Sequence, residues 1–307
     1  MISSLLKPQT PLNFPEFQKH LQLGVANAYT FESIDSRIWY QTFIGSMQDA
    51  LATKIYFPIY RMGDGEYSFA AGNYLDLTPW TRLTIKEVIK KALRLALKKR
   101  KLHRSGYLEV GYESYSDHEY DEAKKIFVES LKIVAHKGYL ALGLDDSALY
   151  RRHFPYIIDW FERNCIPFHK NNYIHVYAVY ALLRSTENNW LFVGKKILVL
   201  SGFVENPANV KKYLIHRGAK VADIQVISKT KSMFDVIDVS AVEHKYDVIF
   251  ISAGVGAVNI LAQLQTTKAL CIDIGFILRI WSNEDLQWDR PFCVPDCHFD
   301  RNKVRFL

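Results

Sequence analysis

Residues 54–66 read Lys-Ile-Tyr-Phe-Pro-Ile-Tyr-Arg-Met-Gly-Asp-Gly-Glu. The first part is apolar, β-branched and aromatic, which predicts a buried strand over 54–62. The stretch then breaks into Arg61-Met62-Gly63-Asp64-Gly65-Glu66. Gly63 and Gly65 allow a sharp turn and a close approach of a ligand to the backbone. Asp64 and Glu66 are separated by one glycine. In an extended or turning backbone, side chains at i and i+2 point the same way. A hard divalent cation carried by a diphosphate takes such carboxylates and fills its remaining positions with substrate oxygens. Arg61 adds a fixed guanidinium for a phosphate or a carboxylate. Asp-Gly is also a common turn pair that needs no ligand. The end of a buried strand is, however, where ligands gather in open α/β sheets.

Outward from this stretch, the carboxyl-terminal half alternates regularly. Strands are predicted at 195–201, 220–227, 246–252 and 269–274, with helices at 207–216, 232–243 and from 257 to about 265. Strands apolar on both faces, alternating with helices, predict an α/β fold: a Rossmann-like, mostly parallel sheet with helices on both faces. The amino-terminal half is less regular. A helix is expected over 33–51, with Ile34, Ile38, Phe43, Ile44 and Met47 at helical spacing. Further strands are expected at 106–113 and 138–144, with helices at 119–135 and 149–163; the type of 173–183 is open. The expected organisation is a helical lead-in at 1–50, a Rossmann-like domain at 51–285 and a tail at 286–307.

At 307 residues, 49% hydrophobic and 14% aromatic, the chain buries a sizeable core, which excludes wholesale disorder. No apolar run is long enough to span a bilayer, and Met1 to Phe14 lack a signal pattern, so a cytoplasmic location is expected. The four cysteines, Cys165, Cys271, Cys293 and Cys297, are scattered, as in a reducing compartment. Cys293, Cys297 and His298 lack the second pair that a zinc motif requires. The net charge of +7 favours acidic partners such as nucleotide phosphates or anionic lipid. No zinc-finger, RNP-type or helix-turn-helix pattern supports nucleic acid as the partner. A basic helix is expected over 82–104, with Ile85, Ile89, Leu93 and Ala96 on one stripe and Lys86, Lys90, Lys91, Arg94 and Lys98–Lys101 around it. It reads as a solvated surface helix or, more sharply, as a platform for peripheral contact with an anionic membrane or a lipid diphosphate acceptor.

Two glycine turns, at Gly202 and at Gly254-Val255-Gly256, follow strands and precede helices, where backbone amides hold phosphates. Neither is a full dinucleotide fingerprint, which argues against an NAD-dependent enzyme. No Gly-x-Ser-x-Gly elbow is present, so hydrolase chemistry has little support. Asp145 and Asp146 end one predicted strand, either as helix caps or facing a ligand. Asp273 lies in an apolar strand where an unpaired carboxylate is costly.

Arg61-Met62-Gly63-Asp64-Gly65-Glu66 after a strand resembles the Arg-aromatic-Gly-Asp-Gly-Glu signature of the bacterial GT-D type glycosyltransferases. Asp247 to Gly254 followed by Ala257, and Ala269 to Gly275 with its Asp-Ile-Gly ending, resemble the later strands of that family. Departures are Met62 for the aromatic residue, Val255 for the usual Pro and Phe276 for a frequent His. The resemblance implies a Rossmann-like GT-D fold binding a nucleotide diphosphate sugar, usually a UDP-sugar, with a divalent metal (Mn2+ or Mg2+) on Asp64 and Glu66. It implies sugar transfer to a hydroxyl of a glycan, glycoprotein or lipid-linked acceptor. Arg61, Gly63, Gly65, Gly202, Gly254 and Gly256 are then expected around the nucleotide sugar. Asp64, Glu66, Asp145 and Asp273 are the expected catalytic carboxylates, with Asp146 and Glu113 as further candidates for a base. The rival reading is a nucleotide- or phospholigand-binding protein of the same fold without catalysis.

Overall fold

The computed structural model describes residues 6, 8–21, 27–72, 78–96, 112, 115–146, 154–202 and 204–305. The expected strand at 106–113 lies almost wholly outside the described residues, as do Glu113, Ser147 and Lys98–Lys101.

Among the described residues, seven strands form one parallel sheet: β3 (Phe57–Met62), β4 (Tyr139–Leu142), β5 (Tyr173–His175), β6 (Lys196–Ser201), β7 (Val221–Val226), β8 (Val248–Ser252) and β9 (Leu270–Asp273). Their order across the sheet is β5-β4-β3-β9-β8-β6-β7. Every residue of β4, β5, β8 and β9 is buried. Only a sheet covered by helices on both faces reads this way, because exposing either side would leave branched apolar residues in water. β3 begins at Phe57, later than expected, because the preceding helix Ser36–Thr53 runs further and ends on Lys54 in the left-handed conformation (φ 51°). Pro58 is tolerated in this central strand because pairing with β4 starts only at Ile59.

The lead-in is not purely helical. β1 (Gln9–Pro11) and β2 (Asn27–Tyr29) pair as a small antiparallel sheet. The helix Ser36–Thr53 then buries Trp39, Tyr40, Phe43, Met47 and Ala50, a stripe at helical spacing. Ile38, expected on that stripe, is instead 59% exposed. Trp39 Nε1 donates to the Tyr173 carbonyl at 3.2 Å, and Phe43 meets Tyr139 edge-on, so this helix covers the β4–β5 side. The helix Asp117–Lys137 starts at a Ser116–Glu119 capping box and buries Ala123, Phe127, Leu131 and Val134 as expected.

The undecided stretch 173–183 splits into β5 and the helix Val176–Arg184. The expected helix at 232–243 is only a 3-10 turn, Ser232–Phe234, and a short helix, Val239–Val242. The expected tail packs on the domain as a series of 3-10 turns. Asp296 accepts from the Gln18 and Lys19 amides, and the Cys293 carbonyl accepts from buried Arg184. Among the described residues no helix is long and apolar enough to cross a membrane.

Candidate active site

From β3 the chain steps one way across the sheet to β4 and β5, while β9 arrives from the other side through β8. Connections diverge between β3 and β9, and such a divergence leaves a crevice at the carboxyl ends of the strands. Arg61, Asp64, Glu66, Asp273 and Gly275 all sit there.

The expected Gly63–Glu66 turn is in fact the start of a helix, Asp64–Ala71, with Gly63 as its cap. This corrects the premise that Asp64 and Glu66 share one side. Two positions along an α-helix are about 200° apart around its axis. Glu66 folds back, and its Oε2 accepts from the Gly63 amide at 2.9 Å. That bond satisfies an amide that the helix itself leaves unpaired. Asp64 is half-buried in the first turn.

Glu66 is also half-buried, but its carboxyl group lies deep beside Asp273. Desolvation first, and the neighbouring Asp273 charge second, raise its pKa from 4.5 to about 7. The Tyr60 hydroxyl, buried on β3, feels the Glu66 charge and has no hydrogen-bond partner among the described residues. Asp273 is also raised, chiefly by burial, while the Arg61 guanidinium and the Arg61 and Gly275 amides pull it back. The charge that looked costly in sequence is thus answered by Arg61 from the adjacent strand.

Arg61 spans the join. Its amide donates to Asp273 Oδ2 at 3.3 Å and its Nε to the Asp273 carbonyl at 3.1 Å. Nη1 donates to the Tyr180 hydroxyl at 2.5 Å, and Nη2 lies 3.8 Å from Asp273 Oδ1. Gly275, at φ 42°, makes room: a Cβ there would fall 1.6 Å from Arg61 Nη2. Ser252 at the end of β8 donates to the Gly275 carbonyl at 3.1 Å. The sequence reading paired neither Tyr180 nor Gly275 with Arg61, although Gly275 closes the Asp-Ile-Gly ending. In retrospect Tyr177 and Tyr180, one turn apart in the helix after β5, were the available cue.

The other expected residues divide. The Gly254–Gly256 turn packs against the helix Asp64–Ala71 and so reaches the crevice. Gly256, however, is filled from outside: a Cβ would lie 2.5 Å from the Ser232 carbonyl carbon. Ser232 is held there by donating to the Ala253 carbonyl at 2.8 Å. Gly202 is covered in the same way, with a Cβ 2.7 Å from Lys229 Cα. Its strand, β6, stands three places from β3, about 14 Å at the usual strand spacing. The smallness of Gly202 and Gly256 therefore serves packing of the 228–232 segment.

Asp145, at the β4 end, is fully buried and 3.0 Å from His175 Nε2. The Tyr177 amide donates to His175 Nδ1 at 3.3 Å, which leaves the ring proton on Nε2, facing the Asp145 carboxylate. Asp145 also bridges to Ala28, and Asp146 accepts from the Asn27 amide. These aspartates anchor the amino-terminal strands; neither caps a helix among the described residues. Among the described residues no cluster of three or more His, Cys, Asp or Glu side chains is arranged for a metal ion, and Cys293 is buried while Cys297 is exposed. A cation arriving with a diphosphate needs only one or two protein carboxylates, and half-buried Asp64 fits that demand.

Two outcomes follow from this geometry. Folding retains the Glu66 proton to about pH 7, so the Glu66 contribution to stability falls as pH rises from 4.5 through about 7. Glu66→Gln keeps an acceptor for the Gly63 amide and removes the desolvated charge. Its melting temperature relative to wild type should rise across that window, whereas a pH-independent difference contradicts the placement. Gly275→Ala should cost about 1–3 kcal/mol in urea unfolding, through backbone strain and displacement of Arg61.

Residues 142–280 match the GT-D-like family, described as a GT-D fold-like domain. The Arg61–Glu66 stretch lies outside the matched span. Among solved structures, the chain is similar to a domain of unknown function 1792 described as having a distinct glycosyltransferase fold, at 15% identity over 78% of this chain and 81% of that one, with a TM-score of 0.46. It is likewise similar to a glycosyltransferase (DUF1792) from Streptococcus sanguinis, at 16% identity over 80% and 83% of the two chains, with a TM-score of 0.46. No curated protein matches. From β4 to the helix after β9, the chain is thus similar to the GT-D fold-like domain.

Proposed function

We propose that the chain is a glycosyltransferase that moves a sugar from a nucleotide diphosphate sugar, of the UDP-sugar class, to a hydroxyl acceptor. The observation that carries this reading is the convergence of Arg61, Glu66 and Asp273 at the carboxyl ends of β3 and β9, with Asp64 in the adjoining first helical turn, in a chain whose 142–280 span matches the GT-D-like family. A divalent ion, Mn2+ or Mg2+, when bound, neutralises the diphosphate as the sugar departs.

Asp64 is the residue that would hold the ion, because Glu66 is turned back onto the Gly63 amide. The helix Asp64–Ala71 directs its amino-terminal dipole toward the diphosphate. Arg61 is tied to Asp273 and Tyr180, so it fixes the crevice floor and presents positive charge without reorganising. Asp273 is 3% exposed and held by Arg61, which makes it a positioning group for the arginine. The acceptor belongs to bacterial surface glycan, glycoprotein or lipid-linked glycan synthesis in the cytoplasm.

Calorimetric titration of uridine diphosphate, with Mn2+ and with chelator, tests the assignment. Binding should require the metal. Asp64→Asn should weaken it by at least about tenfold, the equivalent of about 1.4 kcal/mol. Glu66→Gln, which keeps the cap, should leave affinity within a few-fold. Binding indifferent to chelator and to Asp64→Asn contradicts the assignment, and binding without turnover of any UDP-sugar supports the non-catalytic rival.

A further inference from the structure

The helix Ile85–Ala96 is inside out. Its apolar residues Ile85, Ile89 and Leu93 are 82%, 54% and 55% exposed. Its Lys91 is buried instead, with Nζ donating to the Thr78 carbonyl at 2.7 Å and lying 4.9 Å from the Trp80 ring centre. Of the stripe expected on this helix, Ile85, Ile89 and Leu93 face solvent.

At 100° per residue, Ile85, Ile89 and Leu93 span one arc of about 80°, and Lys86 and Lys90 fall immediately beside it. Both lysines are exposed, as is Arg82 in the 3-10 turn Trp80–Arg82 ahead of the helix. Trp80, just ahead of the helix, is 45% exposed. The acid nearest this face, Glu87, is drawn back onto the Thr84 amide and hydroxyl at 2.9 and 2.8 Å. An apolar arc bordered along one side by cations is the pattern of a helix lying in a lipid interface. The sequence continues the positive charge with Arg94, Lys98, Lys99, Arg100 and Lys101.

We infer that the face carrying Ile85, Ile89 and Leu93, with Lys86 and Lys90 beside it and Arg82 in the preceding turn, docks this protein on an anionic lipid surface. Charge complementarity selects this occupant. A purely apolar partner groove gives the basic border nothing to pair with, whereas an anionic leaflet takes both the arc and the cations. A second copy of the chain would bring the same positive charges face to face. The inference stands apart from the transferase reading, since neither the crevice nor a sugar enters it.

Flotation of the full chain with phosphatidylcholine vesicles, with and without phosphatidylglycerol, is the test. The protein should float with the anionic vesicles only, and less so in high salt. Replacing Arg82, Lys86 and Lys90 with Gln should weaken that binding on the order of hundredfold, from about fivefold per cation. Ile85→Ser, Ile89→Ser and Leu93→Ser together should abolish it while leaving the melting temperature and the solution mass unchanged. No flotation with anionic vesicles, or equal flotation of all three proteins, overturns the inference. So does a serine variant that melts lower, which means the chain itself covers the stripe, or one that halves the solution mass, which means a second copy does.

Discussion

The join between β3 and β9 rests on one ion pair embedded in a hydrogen-bond set. Arg61 and Asp273 lie on neighbouring strands and meet where both strands end. An unpaired Asp273 in the sheet core would cost several kcal/mol or take up a proton. The guanidinium, the Arg61 amide and the Gly275 amide answer it together. That requirement accounts for the glycine at 275, since any side chain there displaces the arginine. It also accounts for Tyr180, which fixes the other end of the guanidinium from the helix after β5. Three segments distant in sequence are thereby held at one point.

What hangs from that point is the helix Asp64–Ala71. Its cap is glycine, which offers no side chain for the first amides, so Glu66 closes the helix start from within. The two acids of the Asp-x-Glu triplet consequently differ in environment. Glu66 is drawn toward Asp273 and holds its proton to about pH 7, while Asp64 stays in the first turn. One carboxylate serves the fold, and the other is the one that the proposed function gives to a ligand.

Much of this was legible in the sequence, for a definite reason. The strands of a covered parallel sheet are apolar throughout, so β6, β8 and β9 stand out as runs such as Ile197–Leu200 and Val248–Ile251. The Arg61–Glu66 stretch announced a strand end with unusual chemistry. What sequence hid is what depends on rotation and on long-range contact. Gly-Asp-Gly-Glu reads as a turn, yet the segment continues as helix, with Glu66 satisfying the Gly63 amide at its start. Gly202 and Gly256 read as phosphate turns, but the 228–232 segment, distant in sequence, occupies the space they leave. Asp145 read as a candidate base, and its partner His175 sits thirty residues on, across β4 and β5. Periodicity placed Ile85, Ile89 and Leu93 on one stripe but carried no information on which way the stripe faces.

The proposed function places the ligand site at the carboxyl ends of β3 and β9 and not over the glycine turns of β6 and β8. A crystal structure of the protein soaked with uridine diphosphate and Mn2+ tests this most directly. The diphosphate should lie beside the first turn of the helix Asp64–Ala71, with the ion on Asp64, and with Glu66 still bonded to the Gly63 amide. A diphosphate seated over Gly202 with the 228–232 segment displaced, or an ion held by Glu66 with its cap broken, would contradict it.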